Sequence, residues 1–121
     1  MPAQSILMVA DEAEQRNLFT LVLISRGYGV DAVADAESAL ERLADHTYAI
    51  LLTDYELPHM NGPELISHVR QRWPAMCIVL MTTHSHGRML AEQLCVDGFF
   101  SKMDVFSLPR ILQTALEQHM A

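Results

Sequence analysis

The sequence predicts a doubly wound α/β domain, a five-stranded parallel sheet with strand order 2-1-3-4-5 and five helices covering its faces. Three observations point there. Short apolar runs alternate with stretches of helical periodicity along the whole chain. The runs at 49–53 and 77–82 are apolar almost throughout, as parallel strands buried on both faces must be. The 121 residues, half of them hydrophobic, suffice for one two-sided core and not for a second module, so 1–121 is expected to form a single domain.

Taken in order, strands are expected at 5–9, 29–33, 49–53, 77–82 and 98–101. Helices are expected near 13–26, 36–45, 62–72, 86–96 and 107–119. Asp35, before Ala36-Glu37-Ser38, is a candidate N-cap for the second helix. The third helix has a fuller start signal, with Asn61 as cap, Pro63 in the first turn and Glu64 at capping-box spacing. Trp73, before Pro74, is expected to pack the end of that helix. In the fifth, Leu108, Ile111, Leu112, Ala115 and Leu116 form one apolar stripe. Ser107 is a candidate cap there, and Pro109 is tolerable only in a first turn. No internal repeat, linker or low-complexity segment interrupts this alternation.

Composition excludes several function classes. The formal net charge is −7, which argues against nucleic-acid binding, since phosphate contacts need a basic face. The longest uncharged run, 73–87, is too short for a transmembrane span, and no basic region precedes the first apolar run as in a secretory signal. Cys77 and Cys95 lie in apolar surroundings and read as reduced core residues of a cytoplasmic protein. Met76, Met81, Met89, Met103 and Met120 read as gap-fillers.

In open parallel sheets, ligands bind at the C-terminal strand ends, near the point where the strand order reverses. Asp11, Asp54, Thr82 and Lys102, the chain's one lysine, each follow a different strand at that edge. Asp54 is expected to project from the sheet edge, where chemistry can reach it. Two carboxylates with the carbonyl of Glu56 form an oxygen set of the kind Mg²⁺ takes. A carboxylate can also attack phosphorus and become an aspartyl phosphate. The Lys102 ammonium and the Thr82 hydroxyl then suit the oxygens of the transferring group.

At this point the chain resembles the receiver domains of two-component response regulators, over essentially its whole length. The resemblance rests on Ile6-Leu7-Met8-Val9-Ala10-Asp11-Glu12, Gly27-Tyr28-Gly29-Val30 and, most specifically, Leu52-Thr53-Asp54-Tyr55-Glu56-Leu57-Pro58-His59-Met60-Asn61-Gly62. It continues in Val79-Leu80-Met81-Thr82-Thr83 and Asp97-Gly98-Phe99-Phe100-Ser101-Lys102. It implies a flavodoxin-like fold and an Asp54 that accepts phosphate from a histidine kinase or a phosphotransfer protein. It also implies Mg²⁺ at Asp11, Asp54 and Glu56, phosphoryl contacts from Thr82 and Lys102, and Phe99 as the aromatic that follows Thr82 in the switch. The face of the fourth helix, fifth strand and fifth helix would then bind a downstream protein or a second copy.

Three departures from the family pattern bear on this. Ala10 stands where the family usually has the first of two acids, which should weaken metal binding; Glu56 could lean over the pocket and restore the charge, or point to solvent. Glu12 matches a position that generally lies beyond the metal shell. Met103 replaces a proline common after the lysine, so strand and helix packing must place Lys102. His84 and His86 form an H-x-H pair, read as a polar loop in which His84 tunes the lifetime of the phosphorylated state. The alternatives are a pseudo-receiver acting as a phosphorylation-independent binding module, supported by Ala10 and Met103, and a phosphohydrolase, supported weakly by Asp54-x-Glu56.

Overall fold

The computed structural model describes residues 4–83 and 85–120. Each strand is an apolar run of alternating facing, and each helix lays one stripe on the sheet. The strands are β1 (Ser5–Val9), β2 (Gly29–Val33), β3 (Ile50–Asp54), β4 (Cys77–Thr82) and β5 (Gly98–Ser101). The helices are α1 (Ala13–Ser25), α2 (Ala36–Asp45), α3 (Gly62–Arg72), α4 (Gly87–Leu94) and α5 (Leu108–Met120), with a 3₁₀ turn at Val105–Ser107. All pairings are parallel, in the order β2-β1-β3-β4-β5, as expected.

The period-2 alternation sorts the core into two layers. Ile6, Met8, Ile50, Leu52, Val79 and Phe100 face α1 and α5, where Phe19, Leu23, Leu108 and Leu112 meet them. Phe19 and Phe100 stack edge to face at 5.4 Å. Leu7, Val9, Leu51, Ile78 and Leu80 face α2, α3 and α4 through Ala39, Leu43, Leu65, Val69 and Ala91. Trp73, half-buried at the end of α3, packs on this layer with the Arg72 guanidinium 4.5 Å over its ring.

The start signals hold for α2 and α3. The Asp35 carboxylate accepts from Ser38 N–H at 2.7 Å. Asn61 and Glu64 exchange both capping-box bonds, at 2.9 and 3.1 Å. Pro109 does lie in the first turn of α5, but Ser107 belongs to the 3₁₀ turn, and its hydroxyl donates back to the Asp104 carbonyl at 2.8 Å.

Other expectations are corrected. α4 stops at Leu94 because Cys95 takes a left-handed backbone, φ 54°, which ends the helix and exposes a side chain expected in the core. Cys77 is buried as expected. Met81 fills the core, whereas Met89, Met103 and Met120 are exposed. No helix among the described residues is long and apolar enough to cross a membrane.

Candidate functional site

Strand order brings the sequence-predicted residues to one edge. Asp11 lies just past β1, Asp54 ends β3, Thr82 ends β4 and Lys102 follows β5; these four strands are neighbours. The backbone continues the ladder there, with Tyr55 N–H donating to Met81 O at 2.8 Å and Lys102 N–H to Thr82 O at 3.2 Å. This second bond shows how Lys102 is positioned without a following proline.

Asp54 does not project into solvent as expected. Its side chain is only 1% exposed and sits beneath the side chain of Lys102, whose Nζ lies 2.5 Å from Oδ1 in an ion pair. Oδ1 is therefore held by the ammonium, out of reach of bulk water. Oδ2 accepts from the Asp11 N–H at 3.3 Å. Burial pushes the Asp54 carboxyl up to about 6, and Lys102 and the Asp11 N–H pull it down.

A cleft of about 150 Å³ opens above, bordered by Asp11, Glu12, Glu56, Thr82, Thr83 and Lys102 among others. That volume is well below the roughly 300–1,000 Å³ of ordinary small-molecule sites and suits a group of phosphoryl size with a hydrated ion. Glu56 is exposed and borders the cleft. Glu12, matched to a position generally beyond the metal shell, stands on the rim of the cleft at the N-cap of α1. Ala10 is buried, and its carbonyl accepts from the Arg16 guanidinium at 2.8 Å.

Two glycines hold the surroundings, and neither was singled out as a site residue from sequence. A Cβ on Gly62 would come within 2.3 Å of the Asp54 carbonyl, so the start of α3 closes on the β3–α3 loop only because residue 62 is Gly. A Cβ on Gly87 would lie 2.8 Å from both the Thr82 methyl and the Phe99 ring. Thr82, Phe99 and the first residue of α4 therefore form one contact. His84 lies outside the described residues.

Residues 6–114 match the family model of the response regulator receiver domain. The chain belongs to this family. The receiver is 32% identical to the response regulator protein FleR of Pseudomonas aeruginosa over 68% of this chain, and 34% identical to the two-component response regulator PhoP of the same species over 74%. The matched parts span 17% of FleR and 40% of PhoP. Among solved structures it superposes on the response regulator TrrA of Thermotoga maritima with a TM-score of 0.84 and 26% identity, over 93% of this chain and 98% of that one. This is a receiver domain of two-component response regulators.

Proposed function

We infer that this receiver is a phosphorylation-controlled switch, in which Asp54 takes a phosphoryl group from a histidine kinase or a phosphotransfer protein. The observation that carries the reading is the pairing of a buried carboxylate with a single ammonium beneath a small acidic cleft at the carboxyl edge of the sheet. A structure that needed only a strand end would not bury a charge there, because an ionised group loses several kcal/mol of hydration on burial.

The donors fit Mg²⁺. The carboxylates of Asp11 and Asp54 and the Glu56 carbonyl are hard oxygens, and Asp11 and Glu56 border the cleft. Bound there, Mg²⁺ would supply positive charge that offsets the negative charge of the phosphoryl group. The T. maritima protein was solved in complex with Mg²⁺-BeF. With Ala10 in place of an acid, Glu12 and Glu56 on the rim are the side chains that restore negative charge to the cleft.

In the transfer, an Asp54 oxygen attacks phosphorus and the phosphorus–nitrogen bond of the donor phosphohistidine breaks. The imidazole leaves with the electron pair and takes a proton. Lys102 moves from Asp54 to a phosphoryl oxygen as the carboxylate loses its charge, and the Thr82 hydroxyl donates to another. Thr82 touches the same α4 glycine as Phe99, so its displacement alters the packing of Phe99. That shifts the population of the α4–β5–α5 face, along which a groove of about 410 Å³ runs past Arg88, Phe99, Asp104 and Arg110. This face is where a downstream protein or a second copy binds.

The pseudo-receiver remains the second reading, favoured by Ala10. Incubation with a small-molecule phosphodonor and Mg²⁺ separates the possibilities. A switch gives one stable phosphoryl adduct per chain. Absence of an adduct favours the binding module, and rapid turnover of the donor favours a hydrolase.

A further inference from the structure

We propose that Cys77, Asp97 and His119, at the edge of the sheet opposite Asp54, form a binding site for Zn²⁺ that clamps the last turn of α5 to β4 and β5. Cys77 opens β4, Asp97 immediately precedes β5, and His119 lies in the last turn of α5. Their Sγ, carboxylate and ring-nitrogen atoms all lie within 4.8 Å of one another. In a tetrahedral zinc site the donors are about 3.3–3.7 Å apart, given metal–ligand bonds of roughly 2.0–2.3 Å. Shifts of about 1 Å therefore complete the shell, with water as the fourth ligand.

The arrangement around these donors is that of supported ligands. His119 Nε2 approaches the Ala75 carbonyl at 2.6 Å, and a carbonyl can only accept, so Nε2 carries the proton. Nδ1 is then the ligand nitrogen, its tautomer fixed by a backbone carbonyl, as is usual for metal-bound imidazoles. It faces Asp97 Oδ1 at 2.9 Å. At that distance a proton bridges the pair in the metal-free protein, and Zn²⁺ would displace it as the two donors part to the spacing of a zinc shell. Asp97 Oδ2 is held in turn by the Ile78 N–H at 2.8 Å, and the Asp97 N–H donates to Ile78 O at 2.8 Å.

The Cys77 thiol lies against the same carboxylate. Arg70 on α3 faces the site across space and weakly disfavours a positive charge on His119. Thiolate, imidazole and carboxylate together select a borderline ion such as Zn²⁺ over Mg²⁺. A groove of about 510 Å³ between Trp73, Met76, Leu116 and Met120 borders His119. The site does not depend on phosphorylation of Asp54.

The test uses metal-stripped protein with Mg²⁺ in excess to occupy the acidic cleft, titrated with Co²⁺ as a spectroscopic stand-in for Zn²⁺. The expected result is one equivalent bound with a thiolate-to-cobalt charge-transfer band, bleached by Zn²⁺. The band should be absent in Cys77→Ser, unchanged in Cys95→Ser and formed about tenfold or more weakly in His119→Gln. No thiolate band in the wild-type protein, a band that survives Cys77→Ser, or binding competed away by Mg²⁺ would each overturn the proposal. If Cys77→Ser does not fold, Cys95→Ser decides: a band retained there belongs to Cys77, and a band lost there would overturn the proposal.

Discussion

Burying an ionised carboxylate costs folding free energy, and Asp54 bears that cost in the metal-free protein. Its folded pKa, pushed up by burial to about 6, lies above the unfolded value of about 3.9. The native state therefore binds the proton more tightly. Stability falls as pH rises through that window and stays lower above it. The Asp54→Asn protein is expected to be more stable than wild type by about 1–3 kcal/mol at neutral pH, with the gain vanishing near about pH 4. Urea unfolding across that range measures it; a loss of stability at neutral pH would contradict the assignment. Glu56→Gln is expected to weaken Mg²⁺ binding roughly fivefold, the effect of removing one nearby charge across solvent. Unchanged affinity in a Mg²⁺ titration would place the compensation at Glu12. The residue types of the cleft were legible because four polar residues each follow an apolar run. The burial of Asp54 was not, because it depends on a lysine two strands away folding over it.

At the scale of single elements, α2 and α4 make opposite points. The cap of α2 was readable from Asp35 alone, since only a short-range bond to Ser38 is involved. That bond to the Ser38 N–H holds the Asp35 carboxyl below its ordinary value. The ionised cap thus contributes stability that is present above the unfolded pKa and lost as pH falls through the folded one. Asp35→Asn keeps the acceptor and loses the charge. It should be slightly less stable than wild type at neutral pH and equal to it once Asp35 is protonated, as judged by thermal unfolding. The start of α4 falls one residue from the expectation, but the reasons for both its ends escaped the sequence. Cys95 stands where glycine usually marks a left-handed helix end, and Gly87 is small because Thr82 and Phe99 press on it. Gly87→Ala gains up to about 1 kcal/mol in helix propensity and loses about 1–3 kcal/mol by overpacking, so a net loss is expected. In a Phe99→Ala background the loss should shrink or reverse. An identical loss in both backgrounds would deny the contact.

For the whole molecule, the strand order 2-1-3-4-5 and the two-sided core were both expected, the core because β3 and β4 are apolar on both faces, as strands of a covered parallel sheet are. That order sets Asp54 between Asp11 on one side and Thr82 and Lys102 on the other. The same sheet carries a second group of ligand-type side chains at its opposite edge, which appeared only once β4, β5 and α5 were assembled, because Cys77, Asp97 and His119 are far apart in sequence. The central claim is that the buried carboxylate, rather than its exposed neighbours, receives the phosphoryl group. The direct measurement is to phosphorylate the protein with a small donor and Mg²⁺, reduce the acyl phosphate with borohydride and map the converted residue by peptide mass. Conversion of Asp54 alone is predicted. Conversion at Asp11, Glu12 or Glu56, or at no residue, would contradict the account.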